Sequence, residues 1–532
     1  MKRRLITLFI LLSVALSAVA GERPKLIVNF VVSHMRESDL ARYEVGFGED
    51  GFKRLMKGTY YPYVYYPFAP TTPSALATLS TGALPAVHGI TGEGWWNQTT
   101  QKRVSVVSDP KCMSFNCDTE ESKVSNANLI FETIGDVVVR NTNAGRSVTV
   151  ASDASSAIIL GGTNPTEVWW LDSLSATWTT SSKYHRALPK WVKDFNNSGY
   201  WLRQLGLPWI LSKRDNAYLN SRSSTARPYG YKLTDEERTR RSQPKDLREV
   251  LNSYVANDVV ALFAEQAIIN NYLGADEEVD MINICFDSPR RIAARYGLSS
   301  REMEDMYYRL DQNIANIINF AETQAGGSVI FTLTSDGGNR EYVSSDKVFN
   351  STQARFLINS FLSATYGKGD WVLGCENCSF WLNHTLIFSK GLDVSTVQHQ
   401  VANFALQLRG VSHALSASDM AASGTLFGVM ELIQNSYYPK RSPDVTLVLM
   451  PDWCNTFRED YVPRTSSQLI YAPYRRSLIA MCGMGVENGV VINQKVDMRS
   501  FVVSLARMLG MEAPIGAEWD PLPEAAPTQN GR

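Results

Sequence analysis

Five runs stand out along the chain because nearly every position in them is apolar: residues 25–32 (KLIVNFVV), 147–151 (SVTVA), 281–286 (MINICF), 328–336 (SVIFTLTSD) and 444–450 (DVTLVLM). A strand with one wet face alternates apolar and polar side chains. A run without alternation, rich in Val, Ile and Thr, predicts a strand covered on both faces. Between these runs the period lengthens. Met303, Met306, Leu310, Ile314 and Ile317 recur at helical spacing, and Ser299 followed by Glu302 predicts a capping box. Strands alternating with helices predict an α/β fold with a largely parallel central sheet, flanked by helices, whose sites lie beyond the carboxyl ends of the strands.

Two long segments interrupt that alternation. The first, about 164–245, holds Trp169, Trp170, Trp178, Trp191, Trp201 and Trp209, then an arginine-rich polar stretch. So many tryptophans predict the core of an inserted cap more than a binding face. The second, 340–441, has strand and helix patterns of its own and predicts a cap subdomain. The core is therefore expected over 21–339 and 442–515, ahead of a proline- and alanine-rich tail at 516–532 that frays.

The first 20 residues read as a signal peptide: Lys2, Arg3 and Arg4, an apolar run from Leu5, then Ala18-Val19-Ala20. That run is short for a bilayer span of about 20 residues, and Gly21 rather than cysteine follows the expected cut, against a lipid anchor. The expected location is outside the cytoplasm, periplasmic or on the surface of a bacterium, with no transmembrane segment in the mature chain. Charge narrows the partners. With 52 basic and 53 acidic residues among 532, no bulk field favours nucleic acid. Seven cysteines suit an oxidising compartment; Cys112 with Cys117 and Cys375 with Cys378 are close enough in sequence to bridge, and no second pair near the latter completes a zinc knuckle.

The run RPKLIVNFVVSHMRESDL, followed by APTTPSALATLSTGALPAVHGITGEGWW, resembles the alkaline phosphatase superfamily, and within it the bacterial zinc phosphomonoesterases with a threonine nucleophile, relatives of the nucleotide pyrophosphatase/phosphodiesterases. AIILGGTNPTEVWWLD, FTLTSDGG and FWLNHTLI keep the family's order across the mature chain. The resemblance implies an alkaline-phosphatase-like core with cap subdomains, and a site in which two zinc ions, held by aspartates and histidines, ionise the nucleophile and neutralise the leaving oxygen.

Position by position, that site is altered. The nucleophile position is Thr72, ten residues before Gly82; followed by Pro73 it also predicts an N-cap. The metal positions fall on Ser33, Arg290, Ala294, Asp336, Gly337 and Ser467, of which Asp336 alone keeps a family ligand. The phosphate-contact positions fall on Glu93, Asp153 and Ser155, where an asparagine, a lysine and an arginine are implied. His34 is expected to point away from Ser33 by strand alternation. Arg290 is expected either to neutralise Asp336 or to face solvent with Arg291.

The expectation from these losses is a catalytically inactive protein without zinc or another cofactor, a binding or scaffold subunit with protein partners in the cell envelope, reaching the outer membrane only peripherally through a partner. The alternatives are an active phosphate-ester hydrolase with a rearranged site built on Thr72, and a sensor of an anionic ligand.

Overall fold

The computed structural model describes residues 23–117, 119–172, 177–199, 209–220, 248–341, 347–422, 424, 426–456 and 470–523. The signal peptide, Trp201, the arginine-rich stretch, Ser467 and the end of the tail lie outside the described residues. Among those described, no helix is long and apolar enough to cross a membrane.

Strands β1 (Leu26–Val32), β2 (Thr59–Tyr65), β3 (Ser147–Ala151), β4 (Glu167–Asp172), β5 (Thr177–Thr179), β6 (Asp280–Phe286), β7 (Val329–Thr334), β8 (Arg476–Gly483) and β9 (Val490–Val491) form a sheet in the order β9-β2-β8-β7-β1-β6-β3-β4-β5. The centre, β7-β1-β6-β3-β4, is parallel throughout, while β8 runs antiparallel to β7. Every residue of β1, β3, β6 and β7 is buried. The missing alternation has a direct cause: Val28 and Phe30 of β1 enter one apolar core, Ile27 and Val31 the other. Helices α1 (Thr72–Thr81), α2 (Ala154–Gly161), α3 (Ser288–Tyr296) and α4 (Arg301–Gln324) complete the part of the frame that holds the site. The cap of α4 sits one residue later than the sequence suggests: Ser300, not Ser299, accepts the Met303 amide at 3.2 Å.

Two expectations about organisation change. The run 444–450 is not a strand of the parallel sheet. Val445–Leu449 pairs antiparallel with Val411–Ser416 and with Ser379–Phe380, in a separate four-stranded sheet that also contains Val372–Glu376. Helices Ser351–Tyr366 and Val394–Ala405 share an apolar core with that sheet, so its strands are as apolar as those of the main sheet. The cap therefore continues past residue 441. Likewise, 164–172 is no insertion, because Trp169 and Trp170 belong to β4.

The tryptophans are buried, but in the cores of the main sheet rather than in one of a cap: Trp169, Trp178 and Trp209 join the cluster of Val28 and Phe30, and Trp170 the other. Trp169 and Trp178 are fully buried, and Trp178 stacks on Phe263 with ring centroids 3.9 Å apart. Residues 209–220 are pinned to α4 by two carboxylates: Asp305 accepts from the Trp209 indole at 2.7 Å, the Ser212 amide at 2.7 Å and the Tyr218 hydroxyl at 2.5 Å, and Glu304 from the Leu219 and Asn220 amides at 2.8 Å. Replacing Trp178 by alanine empties the space against Phe263 and should cost about 3–5 kcal/mol, read as a lower urea midpoint at unchanged m-value.

Candidate functional site

Four strand ends meet at the carboxyl edge of the parallel sheet. After β1 the chain turns through Ser33 and His34, and His34 adopts φ 57°, left-handed backbone that costs a non-glycine residue about 1–2 kcal/mol. The turn clasps Asp336, which follows β7: the Ser33 hydroxyl donates to its Oδ2 at 2.8 Å and the His34 amide to its Oδ1 at 2.6 Å. Ser33 and Asp336 are buried, at 0% and 2% exposure.

The expectation for His34 fails because β1 ends at Val32, so alternation no longer applies. Its Nδ1 lies 3.3 Å from the side-chain Nδ2 of Asn339. Burial lowers the imidazole pKa, the charge of Asp336 opposing and that of Arg290 reinforcing the shift, which leaves the ring neutral near pH 7. His34 thus joins the site.

Arg290 takes neither of its expected positions. Its Nη2 donates to Asp153 Oδ2 at 2.9 Å and lies 3.4 Å from Asp287 Oδ1, while Arg291 reaches the same Asp153 oxygen at 2.7 Å. Asp287, directly after β6, also accepts from the Ser152 and Ser156 hydroxyls and the Asp153 amide. Asp336 is felt by Arg290 only through space. Asp153 caps α2, with Oδ1 accepting from the Ser155 amide at 3.1 Å and hydroxyl at 2.9 Å. Asp153 and Ser155 are therefore committed to a cap and an ion pair. Burial would raise the Asp153 pKa, but Arg290 and Arg291 outweigh it and hold the carboxyl low; burial does raise that of Asp287, with Arg290 opposing. Arg290 Nε is buried without a hydrogen-bond partner among the described residues.

Thr72 opens α1, but Thr71 is the N-cap, its hydroxyl accepting the Ser74 amide at 3.3 Å. All ten residues of α1 are buried, and the Thr72 hydroxyl makes no hydrogen bond among the described residues. The turns of Thr72 and Asp336 lie close together: a Cβ on Gly337 would stand 3.5 Å from the Pro70 ring. Gly337 has φ 122°, and that Cβ would also meet the Tyr474 carbonyl at 2.7 Å, so no histidine fits there without moving backbone. Glu93, half-buried, precedes the hairpin strand Gly94–Asn97. Burial pushes its pKa up to about 7, with Arg290 opposing and Asp153 and Glu376 adding. None of the seven cysteines is bridged: Cys112 donates to Asp109 and Cys375 to the Ser351 carbonyl, and Cys117 and Cys378 also stand as thiols.

The profile of the type I phosphodiesterase / nucleotide pyrophosphatase family matches residues 28–467. This chain belongs to that family. It is 25% identical over 525 residues to alkaline phosphatase PafA of Elizabethkingia meningoseptica, 95% of each chain, and 25% identical over 518 residues to alkaline phosphatase PhoV of Synechococcus elongatus, 93% of this chain and 92% of that one. The crystal structure of wild-type PafA superposes with a TM-score of 0.85 at 24% identity, covering 94% of this chain and 99% of the other, which shows an alkaline-phosphatase-like fold.

These matches correct the expectation of an inactive scaffold. Relatives named alkaline phosphatases span the chain end to end and put it among the phosphoric ester hydrolases. The expectation of a protein without a cofactor is withdrawn with it, because the resemblance ties phosphatases of this class to two zinc ions. The inherited positions nevertheless do not fit that pair of ions. Ala294 and Gly337 bring no donor, Ser33 spends its hydroxyl on Asp336, and Arg290 brings a cation already bound to Asp153. No group of three or more His, Cys, Asp or Glu that could hold a metal occurs among the described residues. A metal would need donors other than these.

Sequence reasoning missed Asp287 and His34. Asp287 follows a buried strand just as Asp336 nearly does, and that placement was a usable signal. Arg290→Ala should cost about 3 kcal/mol at pH 7, because it leaves Asp287, at 0% side-chain exposure, and Asp153 without their shared cation. Denaturation at two pH values checks this: the raised Asp287 pKa makes the loss smaller in acid, where that carboxyl takes a proton.

Proposed function

We propose that this protein is an exported hydrolase of phosphate esters whose rearranged site uses Thr72 as the nucleophile. The observation that carries the reading is the Thr72 hydroxyl, standing at the family's nucleophile position with no hydrogen bond to another described residue. It begins a ten-residue helix whose first amides favour negative charge. Arg290 supplies a planar cation held by two carboxylates, with Nε still unpartnered, and a guanidinium suits phosphoryl oxygens.

Charge sets the condition for binding. Arg290 and Arg291 stand against Asp153, Asp287, Asp336 and Glu93, so the pocket is acidic when all four carboxyls are ionised. A phosphate meets least repulsion when Glu93 carries its proton, and in that state Glu93 can also donate to a phosphoryl oxygen. Because the Glu93 pKa is raised to about 7, the binding form is complete below that value and is lost as pH rises through it.

Two outcomes follow for assays with an aryl phosphate on purified protein. Thr72→Ala should reduce kcat by about 10^3-fold or more; equal rates in variant and wild type would rule out the Thr72 mechanism. The kcat/KM of the wild type should decline above pH 7, and Glu93→Gln should abolish that alkaline decline. A decline that persists in Glu93→Gln would assign it to another group.

A further inference from the structure

A cavity of about 140 Å3 lies between the core loop around Glu93 and the cap sheet. Thr71, Gly92 and Gly94 form part of its core wall, so it adjoins both the nucleophile's turn and Glu93. Trp381, Ile433 and Val448 supply an apolar wall from the cap side. Trp381 is a fixed surface: it is 5% exposed, packs on Trp96 with ring centroids 4.9 Å apart, and donates its indole N–H to the Arg441 carbonyl at 3.3 Å.

The polar part of the lining is uncharged, with one exception. Glu376 is the only ionisable carboxylate or cation among the lining residues described, and Arg103 already pairs with it at 2.9 Å. Tyr437, Thr446, Ser379 and Thr91 line the same space, and none of their hydroxyls has a hydrogen-bond partner among the described residues. Hydroxyls left without partners are capacity to bind a polar edge. A charged group brought here would lose water without meeting a counter-ion.

We infer that this cavity holds the organic group of the ester, and that the group is an uncharged ring with a hydrogen-bonding edge. The ring lies against Trp381 and the edge meets the Tyr437 and Thr446 hydroxyls. Thr71 on its wall places the group within reach of a phosphorus at Thr72. The assignment of the group as part of an ester rests on the hydrolase reading above; the cavity's preference for an uncharged ring does not.

Phenol and benzoate separate the terms, since they share a ring and differ in charge. Titration calorimetry on the full chain should give a millimolar Kd for phenol and binding at least about tenfold weaker for benzoate. Tyr437→Phe and Thr446→Val should each weaken phenol several-fold at an unchanged Tm. No phenol binding, equal binding of benzoate, or an unchanged phenol Kd in both variants overturns the inference. Rates on phenyl phosphate and para-carboxyphenyl phosphate then distinguish the two readings. Selective phenol binding with no hydrolysis of either ester keeps the cavity and removes the hydrolase, whereas hydrolysis of both at equal kcat/KM keeps the hydrolase and removes the cavity's role.

Discussion

The site is organised around a guanidinium held between two carboxylates. Arg290 reaches Asp153 at the start of α2 and Asp287 at the start of α3, and so ties the ends of β3 and β6 together on the edge where the parallel strands finish. Each of these charges would be costly to bury alone; together, with Arg291 and the Ser152 and Ser156 hydroxyls, they satisfy one another. That mutual satisfaction sets the electrostatics of the rest: it helps keep His34 neutral and works against the burial that raises the Glu93 pKa. It also leaves the Nε of Arg290, like that of Arg291, buried without a hydrogen-bond partner among the described residues.

The frame was readable in the sequence because its cause is simple. A strand between two apolar cores, as β1 is, needs apolar side chains on both faces, and that is visible without a structure. The same simplicity explains the error over residues 444–450: a cap strand buried within its own small sheet obeys the same rule, and composition carries no mark of which sheet a strand joins.

The site was legible in identity and not in arrangement. Thr72, Glu93, Asp153, Arg290 and Asp336 could be located by motif, but their partners depend on where the chain leaves the strand. A strand that stops at Val32 frees His34 from alternation, and one more residue of helix at the amino end makes Thr71 the cap in place of Thr72. Asp336 was expected to need Arg290 and instead takes its hydrogen bonds from the adjoining turn, which freed Arg290 for Asp153 and Asp287. The expectation of inactivity shows a further limit: missing ligands describe positions, whereas membership of a hydrolase family rests on the match along the whole chain.

Gly337 links distant parts of the chain in a way that constrains sequence change. The volume a side chain there would fill is already taken by the Tyr474 carbonyl, from the short helix Ala472–Arg475 that leads into β8. The Gly338 amide donates to that same carbonyl at 2.9 Å, so the helix cannot retreat without breaking the contact that holds the Asp336 turn. Position 337 and the segment around Tyr474 are therefore epistatic: a larger residue becomes acceptable at the first only after the second has changed, and single substitutions at 337 start from a barrier set more than a hundred residues away in sequence.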